Sequence, residues 1–147
     1  MKHCQKKIID IWMWWGLFKT ILVPTDGSEF AQRAEDVAIS IASKYEARII
    51  GAYVIDEKLI YPFEVLEEEG KKILKDLSIK AKKEDVIVDE ILVVGNPAKD
   101  IVTIVRRMKP DLIVIGTHSK KGLEKILLGS VAENVLKKVS PPVLLVK

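Results

Sequence analysis

Five short apolar runs rich in β-branched residues are spaced along residues 17–147, and the stretches between them carry apolar residues at helical spacing. This alternation restricts the fold more than any other feature of the chain. Residues 19–24 (KTILVP) are apolar on both faces and stop at a proline, as a strand covered from both sides must be. Ser28 follows as an expected N-cap, and Ala34, Val37, Ala38, Ile41 and Ala42 predict a helix to about Tyr45. Residues 47–54 (ARIIGAYV) read as a second strand. Pro62 stands where a helix can begin. Val65, Leu66, Ile73, Leu74 and Leu77 predict the apolar side of that helix, whose acidic start and lysine-rich end suit the helix dipole. Residues 86–94 give a third strand. Asn96 and Pro97 read as a cap and first helical position, opening a helix with Ile101, Val102, Ile104 and Val105 that Pro110 ends. Residues 111–116 form a fourth strand, 130–138 a last helix and 142–147 a last strand.

The order β-α-β-α-β-α-β-α-β predicts an α/β fold: a single open five-stranded parallel sheet, Rossmann-like, with helices on both faces and right-handed crossovers. The expected strand order is 3-2-1-4-5. A length of 147 residues allows one core, and 48% hydrophobic with 31% charged residues suits a soluble globular domain. Trp12, Trp14 and Trp15, the only tryptophans, fall before residue 16. That asymmetry divides the chain into an apolar extension (1–16) and a domain (17–147).

Charge and cysteine content exclude several classes. The net charge is +3, and the extension holds Lys2, Lys6 and Lys7 against Asp10, so the domain is nearly neutral. Nucleic-acid binding is therefore not expected. Six lysines against Glu124 and Glu133 make residues 120–147 locally basic. Cys4 is the single cysteine, no apolar run is long enough to span a bilayer, and Asp10 interrupts the one stretch that imitates a signal peptide. A cytoplasmic protein is expected.

An open parallel sheet binds ligands at the carboxyl ends of its strands, where the strand order reverses. With the expected order, strands one and four meet there. Their ends carry Pro24, Thr25, Asp26, Gly27 and Ser28 on one side, and Gly116, Thr117, His118 and Ser119 on the other. The second loop closes on Gly129 and Ser130 at a helix start, with Lys120, Lys121 and Lys125 nearby, which are the ingredients of a phosphate cradle. Neither a Walker A loop nor a dinucleotide fingerprint is present. Ser130 and Glu133 also fit a capping box that needs no ligand, Gly116 and Gly129 would serve as turn residues, and Asp26 would serve in a surface turn.

Taken together, Val23 to Ser28, Gly95-Asn96-Pro97, Gly116-Thr117-His118, Leu128 to Glu133 and Pro142 to Val146 resemble the universal stress protein family, over nearly all of 17–147. The resemblance implies the five-stranded sheet and a homodimer. It also implies an ATP site built on a G-x-x-G-(nine residues)-G-S/T pattern, often with a divalent cation. Gly116, Gly129 and Ser130 match at the right spacing, whereas Ser119 replaces the second glycine. By the same resemblance Asp26 meets the adenosine portion, Val54 gives backbone contacts to adenine, and Gly129, Ser130 and Val131 hold phosphates. His118 lies in the same turn. Ser119 would weaken the site through backbone strain or its Cβ, or partly replace a lost contact through its hydroxyl.

The expectation is a small ATP-binding, stress-response regulator or sensor acting as a homodimer through strand 143–146, whose apolar edge invites pairing. Mg²⁺ would be held mainly by the phosphates. Alternatives are a dimerisation module of the same fold without a nucleotide, and a slow ATP hydrolase. No catalytic residue and no metal site built from protein ligands alone is expected, since no nucleophile or paired carboxylate accompanies His118 and two histidines with one cysteine give no zinc spacing. Ile8, Ile11, Trp12 and Trp15 of 1–16 recur at helical spacing; lysines with tryptophans fit an interfacial helix, but so few turns anchor weakly, so protein packing is expected ahead of a membrane contact.

Overall fold

The computed structural model describes residues 17–118 and 128–147. The expectations for the 1–16 extension, for Ser119 and for Lys120, Lys121 and Lys125 lie outside the described residues. Five strands, β1 (Thr20–Pro24), β2 (Arg48–Asp56), β3 (Val88–Gly95), β4 (Leu112–Gly116) and β5 (Val143–Val146), pair in parallel in the order β3-β2-β1-β4-β5. Helices α1 (Glu29–Tyr45), α2 (Phe63–Lys82), α3 (Pro97–Met108) and α4 (Ser130–Lys138) connect them. This is the α/β architecture and strand order that the sequence predicts.

Strand alternation sorts the core into two layers. Ile21, Val23, Ile49 and Val114 pack with Ala34, Ala38 and Ala42 of α1 and with Leu77 and Ala81 of α2. Leu22, Ile50, Ala52, Ile113 and Ile115 face the other way, onto Ile101, Val102 and Val105 of α3 and Ala132 and Val135 of α4. A smaller cluster of Tyr53, Ile55, Leu66 and Leu74 lies under the first half of α2.

Helix starts follow their caps. The Ala31 N–H donates to Ser28 Oγ at 3.3 Å, and the Lys99 N–H donates to Asn96 Oδ1 at 3.2 Å, with Pro97 opening α3. Two strand ends differ from the pattern by two residues, the others by one at most. β2 runs on to Asp56, because β3 pairs with it up to Gly95. β3 begins at Val88 rather than 86, since the Val86 N–H is engaged by the Ala81 carbonyl at the end of α2.

The register creates the site. Pro24 at the end of β1 pairs with Ala52, so β2 overhangs β1 by four residues. β1 and β4 pair only at Ile21–Leu112 and Leu22–Ile113, leaving their carboxyl ends apart. A crevice opens at the switch point, walled by β2 on one side and by the start of α4 on the other.

Candidate functional site

The β1 side of the crevice is a tight turn. Thr25 is buried, and its N–H donates to the Ala52 carbonyl at 2.9 Å. Gly27 has φ +76°, a conformation that favours glycine, and a Cβ there would also press on the Ile73 Cδ1 methyl at 2.7 Å. The Gly27 N–H donates to Thr25 Oγ1 at 3.2 Å and the Ser28 N–H donates to Asp26 Oδ1 at 3.0 Å. These bonds fix the turn that carries Asp26.

On the β4 side, a Cβ on Gly116 would meet the Phe30 carbonyl carbon at 2.8 Å. Gly116 therefore lets the first turn of α1 approach the end of β4. The buried Thr117 places its hydroxyl 2.9 Å from His118 Nδ1, and the His118 ring sits 4.9 Å from Phe30, over which the Arg33 guanidinium lies at 5.5 Å. The chain returns through Gly129, whose N–H donates to the Thr117 carbonyl at 2.6 Å.

The capping box is not formed. Gly129, in an extended conformation, is the N-cap of α4, so Ser130 is the first helical residue and makes no side-chain cap. Glu133 pairs instead with Lys137 at 2.8 Å. The frame is one residue off because the Gly129–Thr117 bond ends the loop at Gly129. As a result, the opening N–H groups of α4 have no side-chain cap and point, with the positive end of the helix dipole, toward the crevice.

The two sides enclose a cavity of about 780 Å³. Pro24, Thr25, Asp26, Val54, Gly116, His118, Gly129, Ser130 and Val131 all line it. Thr117 does not: it is buried behind the wall, against His118. Ser119 lies outside the described residues. The volume falls in the range of about 300–1,000 Å³ usual for small-molecule sites. Among the described residues no group of three or more histidine, cysteine, aspartate or glutamate side chains is placed to hold a metal ion.

Comparison with known proteins fixes the lineage. The family model described as the universal stress protein family matches residues 17–147. The chain belongs to the universal stress protein family. A curated relative, universal stress protein MJ0531 of Methanocaldococcus jannaschii, is 41% identical over 144 residues, covering 89% of this chain and 83% of the relative. A universal stress protein solved in complex with cAMP is 30% identical, with a TM-score of 0.73 and coverage of 90% of this chain and 99% of that one. One from Archaeoglobus fulgidus, solved with dAMP, is 26% identical, with a TM-score of 0.72 and coverage of 89% and 99%.

This universal stress protein also has cavity residues that the sequence reading did not assign to a site: Tyr53, Asp56 and Glu69 on the α2 side, and Asn96, Pro97 and Ala98 on the α3 side. Tyr53 neighbours Val54 on the overhanging strand, and the overhang turns it toward α2. Burial first, then the Glu69 and Asp26 carboxylates, push the Tyr53 phenol up to about 12. Asn96 and Pro97 were legible as a helix start, and a helix start facing the switch point was the available signal. Val65, expected on the apolar side of α2, is exposed and lines the cavity, because its neighbour Leu66 is the residue of that turn that packs with Tyr53 and Ile55. No helix among the described residues is long and apolar enough to cross a membrane.

Proposed function

We propose that this universal stress protein is an ATP-binding regulator or sensor in a stress response, working as a homodimer. The observation that carries the reading is the convergence of Asp26, Val54 and the Gly129–Val131 turn on one cavity at the switch point. The relatives solved with cAMP and dAMP support an adenine nucleotide as the ligand class.

Each residue has a part its chemistry allows. Asp26, held by the Ser28 N–H, offers carboxylate oxygen to the hydroxyls of a sugar. Val54, on the overhang of β2, offers backbone groups to the base. Ala98 and Ile101 supply apolar wall on the α3 side. Gly129, Ser130 and Val131 present the uncapped start of α4 to phosphates, with the Ser130 hydroxyl available because it caps nothing. Thr117 positions the His118 ring from behind the wall. Mg²⁺, when bound, would neutralise phosphate charge and be held mainly by phosphate oxygens. No residue of the site is assigned to hydrolysis, so turnover is not part of the reading.

β5 is an edge strand of four apolar residues, with Leu144 exposed, and a second copy pairing along it would cover that edge. The nucleotide reading is tested by denaturing the purified protein and identifying released small molecules by mass spectrometry after incubation with ATP and gel filtration. ATP is expected with the wild type and strongly reduced with Gly129→Asp, which sets a carboxylate against the phosphate turn. Equal retention by both proteins would contradict the assignment.

A further inference from the structure

The buried stripe of α1 is made of Ala31, Ala34, Ala38, Ile39 and Ala42, together with one glutamate. Glu35 is 4% exposed. A buried carboxylate is costly unless it is paired and hydrogen-bonded, and both Glu35 oxygens are engaged. Oε1 accepts from the Thr25 hydroxyl at 2.6 Å, and Oε2 accepts from Lys80 Nζ at 2.8 Å. Lys80, from α2, also reaches Asp36 at 2.8 Å. Packing alone gives no reason for this arrangement, since an aliphatic side chain would fill the position beside the alanines.

The direction of the hydrogen bonds gives one. A carboxylate facing an ammonium group only accepts, so the Thr25 hydroxyl must donate to it. Its oxygen is then left to accept from the Gly27 N–H, at 3.2 Å across the turn. The residue between these two anchored positions is Asp26, which lines the cavity. With its proton committed to Glu35, the hydroxyl is held in one rotamer, with its lone pairs available to the Gly27 N–H.

We infer that Glu35 is a positioning residue for the sugar end of the site: by fixing the direction of the Thr25 hydroxyl it holds the 25–28 turn so that Asp26 meets the vicinal hydroxyls of a ribose. The inference rests on the nucleotide reading and adds a source of sugar specificity to it. Glu35 touches no ligand; it acts through Thr25, with Lys80 keeping it an acceptor.

The test compares the affinities for ATP and 2′,3′-dideoxy-ATP by calorimetry. Glu35→Leu removes the acceptor from Thr25, changes no residue of the cavity lining and leaves Lys80 paired with Asp36. Its ATP affinity is expected to drop roughly tenfold while that for the dideoxy nucleotide holds, as loss of charged hydrogen bonds to the sugar predicts. If Glu35→Leu does not fold, Glu35→Gln, which keeps an acceptor for Thr25 but loses the Lys80 ion pair, should lower the ratio partway. An unchanged ratio in the folded variant, or an equal loss for both nucleotides, overturns the inference. Wild-type protein that binds both nucleotides equally overturns it and leaves the nucleotide reading standing, whereas wild-type protein that binds neither overturns both.

Discussion

Gly116 and Gly129 match the first and last glycines of one sequence pattern but differ in what they do. Gly116 is a packing residue: the Phe30 backbone fills the space a side chain would need, with its carbonyl carbon 2.8 Å and oxygen 2.9 Å from a built Cβ. Gly116→Ala should therefore destabilise the protein by about 1–3 kcal/mol, read as a lower urea midpoint at unchanged slope. A shift below about 0.5 kcal/mol, the size of a surface change, would contradict that packing role. Tyr53 makes a second residue-scale prediction. Its phenol is pushed up to about 12, whereas an unfolded tyrosine titrates near 10. The folded state holds the proton more tightly, so this contribution to stability is complete below about pH 10 and is lost as pH rises from about 10 to about 12. In absorbance titrations, the step present in the wild type and missing from Tyr53→Phe should lie near pH 12; a missing step near pH 10 would contradict the burial. At this scale the sequence was legible for kinds of residue and less so for partners. Asp26, Gly129 and Ser130 stood out by type and spacing. Glu35, set in an alanine stripe, did not, because its partners Thr25 and Lys80 are brought to it by two different elements. The capping box read at Ser130 failed for a similar reason, since a bond to the distant Thr117 carbonyl sets the helix frame.

Helices and strands were legible because each is written in a local period that burial then confirms. In α3, Ile101, Val102, Ile104 and Val105 are all buried, and in β1, Ile21, Leu22 and Val23 are fully so. Element ends were less legible where a neighbour decides them. β2 continues to Asp56 because β3 runs alongside, and Val65 is exposed because its neighbour Leu66 is the residue of that turn that packs with Tyr53 and Ile55. The edge strand carries a prediction of its own. Among the described residues β5 has one paired side, to β4, and its Leu144 is 38% exposed. If a second copy covers this edge, sedimentation should give a dimer for the wild type and a monomer for Leu144→Lys, with the far-ultraviolet spectrum unchanged. A wild-type monomer, or a dimer insensitive to that substitution, would contradict pairing through β5.

The whole molecule turns a regular pattern into one asymmetric feature. Strand order 3-2-1-4-5 puts β1 and β4 side by side at the point where the chain changes direction across the sheet, and their short pairing leaves the crevice open. The location of the site was therefore legible from connectivity alone. Its breadth was not, since Tyr53, Asp56 and Glu69 reach it only through the overhang of β2 and the approach of α2. The central claim is that this cavity takes an adenine nucleotide through Asp26 and the start of α4. Calorimetric titration of the folded protein with Mg·ATP tests it most directly. The account predicts a saturable isotherm with one site per chain that Asp26→Ala weakens by roughly tenfold or more. Absence of binding by folded wild-type protein, or an isotherm that Asp26→Ala leaves unchanged, would contradict it.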